Sequence, residues 1–439
     1  MIDRISAVLA AVSWEKLSPA SKEKLKRCII ANFSVAVAGL PYIKLPEPEP
    51  VAGEKGHLLF SGRRTPLGRD AAFWNAAVMH SRTQDDFHPI GNLHAATVMM
   101  PAAMSAAEAT NAAGVDFLNA LVAGYSVAAG LSSAFSPITT PKGLRSTGLY
   151  APFAAAAAAG RLCGLDASGL GNAIALTASM AAGLTQCWID GSDEWQLHVA
   201  QAAFNGLLAV DLTAKGVIGG AHALDGKSGF FQAHTGTTPA FADIAADFDP
   251  DRAVLDTVIK RYPLSGIGQP VVHLAERMAA RRARPEDIQG IVITMNPFEM
   301  RYPGTLNKGP FRSFSDILMS VTFCTASVFS RGRFEFPDLF ERNRTERDRL
   351  IAATEVRDDQ ALPTLSCRID LQLAGGATDS DGIIDGGKGL AIDASTIDAW
   401  ALALWREAGR SAAQYERFRA AVDVLERRPA KEFFATLVG

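Results

Sequence analysis

The sequence predicts a mainly α protein: a large helical domain, a smaller α+β domain after it, and a helical ending that returns to the first. Three observations carry this. From Pro101 to about Gly216 the pattern is almost wholly helical, and between Asp116 and Asp190 the only charged residues are Lys142, Arg145, Arg161 and Asp166. Near Lys260 the character changes, and the strand-like stretches Gly290–Met295 and Ser366–Leu373 follow. Helical spacing then resumes around Trp400, Leu404 and Trp405.

Taken in order, the chain opens with a helix over Ile2–Val12. A second begins near Pro19, with Ser21 as its cap, and repeats Leu25, Cys28, Ile29, Phe33 and Val37 at helical period until Gly39 and Pro41 end it. Leu45–Gly56 is a Pro/Glu-rich connector. A helix from Asp70 to about Met79 leads into the loop that starts at Thr83. Beyond it, the Ala154–Ala159 run lets helices approach closely, and Gly164 breaks them between Arg161 and Asp166. A further helix begins near His198. After the KRYPLSGIGQP loop (260–270) come a helix over Val271–Ala283, the strand Gly290–Met295, a helix over Ser320–Phe329, the alternating strand Ser366–Leu373 and a short strand at Gly389–Ile392. Ser395 or Thr396 caps the helix that carries Trp400.

Composition excludes several classes. Hydrophobic residues make up 48% and charged residues 20% of 439, enough chain for a large core. The net charge of −3 gives no global field to recruit nucleic acid or an anionic membrane, and Arg277, Arg281, Arg282 and Arg284 read as the solvated face of one helix. The five cysteines lack any CxxC pair, which argues for a reducing compartment and against a disulfide framework. The long uncharged stretches Phe117–Pro141 and Gly171–Ile189 are diluted with polar residues and read as buried helices rather than membrane spans. The N-terminus mixes acidic and basic residues, unlike a cleavable signal. These features predict a cytoplasmic protein.

Proton-transfer chemistry concentrates in TQDDFHPIGNLHAATVMMP, residues 83–101. Two adjacent carboxylates, Asp85 and Asp86, stand with His88 and His94 on a Pro/Gly-bearing loop at the mouth of a helix, and these are the usual acid–base groups near neutral pH. Lys142 and Arg145 lie on a second loop between apolar helices, where a charge needs either an anionic ligand or a buried partner. His198 sits on an apolar helix and reads as structural. Lys227 in DGKSG lacks Walker spacing, so no nucleotide site is expected, and His222, His234 and His273 lack ligand-like spacing, so no metal is.

Five segments in order resemble the MmgE/PrpD family: HSRTQDDFHPIGNLHAATVMMPA (80–102), GLRSTGLYAPFAAAAAAGRLCGLDASGLGNAIALTASMAAGL (143–184), LHVAQAAFNGLLAVDLTAKGV (197–217), ALDGKSGFF (223–231) and KRYPLSGIGQP (260–270). The resemblance implies an all-helical domain built from both chain ends (1–258 and 393–439) with an inserted α+β lid (259–392), assembled as a homodimer. It implies a cofactor-independent lyase or isomerase that moves a proton beside a carboxylate. On this resemblance His94, Lys260, Asp85 and His88 are the catalytic candidates. Arg145, Lys142, Trp195, Phe87, Ser265 and Tyr302 are the substrate-binding ones, with Tyr302 a cover for the cleft or a packing residue. The chain also departs from the family. Thr83 stands where active members carry an acid, Phe87 replaces a threonine, Arg145 and Ser265 replace histidines, and Trp195 replaces a lysine. Those changes argue against methylcitrate or cis-aconitate as substrate, and they leave a second reading, an inactive relative that binds or regulates.

Overall fold

The computed structural model describes residues 1–53, 55–281, 284–342 and 344–438. Helices carry the fold, with 21 α-helical segments and six strands among the described residues. The chain forms two compact units. The first comprises Met1–Leu184, Trp195–Ile259 and Asp393–Gly439, and the second Thr185–Glu194 and Lys260–Ile392.

In the first unit the helix Pro19–Gly39 is a spine. Ser18, not Ser21, caps it: the Ser18 hydroxyl accepts from the Ser21 N–H at 3.2 Å, and Pro19 fills the position whose N–H would go unused. The returning helix Ile397–Glu407 packs along this spine. Trp405 is fully buried there and its indole N–H donates to Ser34 Oγ at 3.0 Å. Phe418 stacks on Trp405 at 5.1 Å, and Phe33 meets Phe433 edge-on at the same spacing. Aromatic anchors thus tie the last forty residues to the first forty.

The charge-poor stretch folds as expected into the mutually packed helices Ala96–Thr110, Gly114–Ser132 and Ser146–Leu162. Ala154–Ala159 is fully buried, so small side chains do bring backbones close. Gly114–Ser132 is the one described helix long and apolar enough to cross a membrane, and 83% of its apolar window is buried inside the protein. Arg161 and Asp166 find local uses: Arg161 donates to the carbonyls of Leu9, Ala10 and Val12, and Asp166 caps the helix Ala167–Ala178 through the Gly169 N–H. Two short strands, β1 (His57–Leu58) and β2 (Arg64–Thr65), pair antiparallel in this otherwise helical unit. The helix expected near His198 starts earlier and runs Glu194–Ala214.

The second unit holds a four-stranded sheet. Its strands are β3 (Ile288–Met295), β4 (Thr354–Asp358), β5 (Cys367–Leu373) and β6 (Thr378–Ile383), in the order β4-β3-β5-β6. β3 is parallel to β4 and antiparallel to β5, and β5 is antiparallel to β6. Helices Gln269–Ala279 and Val321–Arg331 pack on each other and on β5 and β4 respectively. The strands the sequence revealed are the central ones. The edges β4 (TEVRD) and β6 (TDSDGI) carry charges, as exposed edges do, and lack an apolar alternation. The short strand expected at Gly389–Ile392 is instead a 3₁₀ turn, Lys388–Leu390, entered through Gly387 at φ +78°. The basic cluster is more specific than a solvated face. Arg277 and Arg281 lie on either side of the end of their helix and both pair with Asp381, Arg284 pairs with Asp287, and Arg282 falls outside the described residues.

Close packing in the first unit makes a stability prediction. A Cβ at Gly206 would stand 2.4 Å from Ala155 Cβ and 2.8 Å from both Pro152 O and Ala156 N, two of them backbone atoms. Gly206→Ala should lose about 1–3 kcal/mol to overpacking, overriding the ~1 kcal/mol helix-propensity gain. Urea denaturation checks this, and an unchanged or raised midpoint would contradict the contact.

Candidate active site

The site is built where the helix Gly68–His80 stops. Ser81 ends it, its hydroxyl placed 2.7 Å from Gly39 O and 2.8 Å from Val78 O. Thr83, with φ +55°, turns the chain sharply, and its buried hydroxyl has no hydrogen-bond partner. A left-handed conformation costs a β-branched residue of the order of 1–3 kcal/mol, so the loop holds strain. The paired acids then point apart. Asp86 accepts from Tyr125 OH and from Asn32 Nδ2 at 2.9 Å, while its own N–H donates to Asn32 Oδ1 at 3.0 Å. Asp85 faces the imidazoles.

Asp85 is fully buried between two rings. His80 Nδ1 lies 2.9 Å from Oδ1, and His94 Nδ1 lies 3.0 Å from Oδ2. The His94 N–H is directed at the Asp86 carbonyl, also 3.0 Å away, with the Asp85 carboxylate close beside it. Arg145 fixes the protons. A guanidinium only donates, and Arg145 Nη2 is 2.8 Å from His80 Nε2, so that nitrogen is the acceptor and Nδ1 carries the hydrogen shared with Asp85. His94 Nδ1 faces two acceptors and must also carry its hydrogen, which puts the lone pair of the neutral ring on Nε2. Arg145 Nη1 donates to the Trp195 carbonyl at 2.7 Å and lies 3.4 Å from His198 Nδ1. Trp195 meets the His80 ring edge-on at 5.3 Å, and Phe87 is 6.2 Å from the His94 ring.

Five of the expected residues therefore come together: Asp85, His94, Arg145, Trp195 and Phe87. Arg145 spends its terminal nitrogens on protein groups, so its immediate task is to hold His80 and Trp195. His80, which no sequence pattern singles out, joins the cluster. His88 stands apart from it: the Gly91 N–H donates to its Nδ1 at 3.1 Å, and its loop is tied by the His88–Leu93 bridge. Lys142 is exposed and donates to the His234 carbonyl at 2.9 Å. Lys260, Ser265 and Tyr302 belong to the second unit. Lys260 is 1% exposed, Ser265 Oγ accepts from the Gly268 N–H, and Tyr302 lines a cavity of about 410 Å³ with Trp188, Arg301 and Arg312.

His80, Asp85 and His94 offer donor atoms within 4.8 Å of one another, a grouping that could in principle hold a metal. The arginine argues otherwise. With Nε2 accepting from Arg145, ligation through Nδ1 would leave His80 with no ring proton, and a guanidinium would sit beside the cation.

Burial sets the titration. Desolvation pulls His80 down to about 3 against the pull of Asp85, and burial takes His198 to about 3 and His88 to about 4. Burial pushes Asp86 up to about 6, opposed by the Tyr125 and Asn32 hydrogen bonds. The sign follows. Unfolded histidines take up protons near 6.5 while these three stay neutral, so each withdraws stability as pH falls from 6.5 towards its folded value. Asp86 acts oppositely, gaining stability as pH falls through about 6, and so does Glu299, which burial pushes up to about 8, but these are two groups against three. Denaturant titrations should show lower stability at pH 4.5 than at pH 7, with a smaller loss in His88→Leu. Equal or greater stability at pH 4.5 would contradict neutral burial.

Residues 3–242 match the MmgE/PrpD N-terminal domain. The cis-aconitate decarboxylase-like protein oryM of Aspergillus oryzae is 31% identical over 183 residues, 39% of this chain and 38% of that protein. The cis-aconitate decarboxylase of Aspergillus terreus is 28% identical over 144 residues, 31% of this chain and 29% of that protein. The alignments thus span less than two fifths of these relatives. With the profile covering more than half its length, this chain belongs to the MmgE/PrpD family.

Proposed function

We propose that the protein is a lyase or isomerase that removes or returns a proton on carbon beside a carboxylate of a small organic acid, with no cofactor. The observation that carries this reading is the orientation of His94. Its Nδ1–H is held by the Asp86 carbonyl with the Asp85 carboxylate 3.0 Å away, and the ring is 19% exposed where its partner His80 is 2%. A neutral imidazole held in this way presents Nε2 as a base, and the carboxylate behind it stabilises the imidazolium that forms. The proton passes from carbon to Nε2, and the electron pair left behind delocalises into the substrate carboxylate as an enediolate. Reprotonation of carbon then completes an isomerisation, and departure of a β-hydroxyl completes a dehydration; a decarboxylation runs in the other sense, with the imidazolium returning its proton to carbon to take up the electron pair that departing CO₂ leaves.

The family resemblance makes Lys260 the candidate for neutralising the enediolate, as a cation does for charge that develops in the transition state. Arg145 acts as a positioning residue: it sets the His80 tautomer, which sets the Asp85 carboxylate. Trp195 and Phe87 bring apolar surface to the His80 and His94 rings, which suits a less charged substrate than a tricarboxylate. The relatives named for cis-aconitate support the carboxylate class, while the replaced residues argue for a different acid. A second reading, a ligand-binding protein without turnover, is favoured by Thr83 standing where active members carry an acid.

Exchange in D₂O separates the two. Mono-, di- and tricarboxylates incubated with the protein and followed by NMR should show deuterium entering one class at the carbon beside the carboxylate. His94→Asn should slow this by about 10²–10⁴, and Lys260→Ala should abolish it with the fold intact. Exchange that persists in both variants would sink the assignment. Binding without exchange in the wild type would establish the second reading.

A further inference from the structure

Within the second unit, independently of the proposed reaction, a cavity of about 420 Å³ lies between the segment Lys308–Phe311 and the helix Thr345–Ala352. That volume suits a small-molecule ligand. Its lining is unbalanced in charge, with Lys308, Arg342 and Arg347 against the single acid Asp348. Apolar walls come from Phe311, Phe323 and Ile351, with the two phenyl rings edge-to-face at 4.9 Å.

Arg347 is the unusual member. It is 1% exposed, and its guanidinium carbon sits 4.2 Å from the centroid of Phe323. Nη2 donates to the Glu341 carbonyl at 2.7 Å, whereas Nε and Nη1, both withdrawn from solvent, have no hydrogen-bond partner. Of the nearby acids, Asp338 pairs with Arg331 and Glu341 with Arg331 and Arg344, which leaves Asp348 as the one carboxylate of the lining beside Arg347. Burial lowers the Arg347 pKa, as expected of a desolvated cation. Lys308 donates to the Thr354 carbonyl, with Glu355 the acid near its charge. A buried guanidinium with donors left over is costly unless something accepts from it.

We propose that this cavity is a second binding site, for an aromatic monocarboxylate. The carboxylate would be held by Arg347, Arg342 and Lys308, and the ring would lie against Phe311 and Phe323. Planar bidentate contact favours a carboxylate on arginine, and the phenyl walls favour an aromatic body over a bare ion.

The test is titration of the full chain with benzoate, read by NMR at the Ile351 methyl groups, with benzyl alcohol and inorganic phosphate as comparison probes. Benzoate should shift the Ile351 signals saturably, at least tenfold more tightly than either comparison probe. Arg342→Glu, an exposed change, should weaken it at least tenfold, and Asp348→Asn should tighten it. Arg347→Met, checked for folding by thermal melting, should abolish it. Absence of any benzoate-dependent shift at Ile351 would overturn the proposal. So would equal affinity for benzyl alcohol, or affinity unchanged in Arg342→Glu, a variant that decides the matter even where Arg347→Met does not fold.

Discussion

The Asp85 carboxylate, removed from water and clasped between His80 and His94, is the constraint around which the first unit is arranged. Burying an ionised carboxylate costs several kcal/mol unless polar partners replace its water. Here the His80 N–H does so at Oδ1 while the His94 ring stands 3.0 Å from Oδ2, and each ring has a further reason to face inward. His80 cannot turn over, because Arg145 donates to its other nitrogen. His94 is held by the Asp86 carbonyl and, at its backbone, by the Thr147 hydroxyl at 3.2 Å. A chain of donors thus runs from Arg145 through His80 to Asp85, and the His94 ring, its N–H turned to the Asp86 carbonyl, flanks that carboxylate on the other side.

The scaffold behind this clasp is the helix Pro19–Gly39. Asn32 binds Asp86 twice, through side-chain amide and carbonyl, and two residues further on Ser34 receives the Trp405 indole. One buried helix therefore braces the acidic loop and anchors the returning C-terminal segment. Adjacent Asp85 and Asp86 thereby divide their tasks: the first meets the histidines, the second fastens the loop to the core, with Tyr125 as a third support.

Much of this was legible in the sequence, and the gaps have physical causes. The helical core showed itself because charge is almost absent over seventy residues, and the central strands because they alternate. The edge strands β4 and β6 did not, since exposed edges carry charges that erase the pattern. Of the site, Asp85 and His94 were visible as acid–base groups on one loop. His80 was not, because it closes a helix and its side chain shares the polarity of many helix ends. Two signals could have found it: its five-residue spacing from Asp85, and an Arg145 with no acid in the surrounding stretch, which needed an acceptor from elsewhere. Arg145 was expected to meet a substrate carboxylate or a buried acid, and its nearest acceptors are instead a neutral imidazole and a backbone carbonyl.

The central claim is that Arg145 locks His80 as a neutral Nδ1–H donor to Asp85, leaving His94 with Nε2 as its basic nitrogen. Nitrogen-15 NMR of histidine-labelled protein tests it directly, since ring-nitrogen shifts report which nitrogen is protonated. The account predicts His80 protonated on Nδ1 alone, unchanged from pH 8 down to pH 5, and His94 in the same tautomer at neutral pH. A His80 protonated on Nε2, or titrating near 6.5, would contradict it.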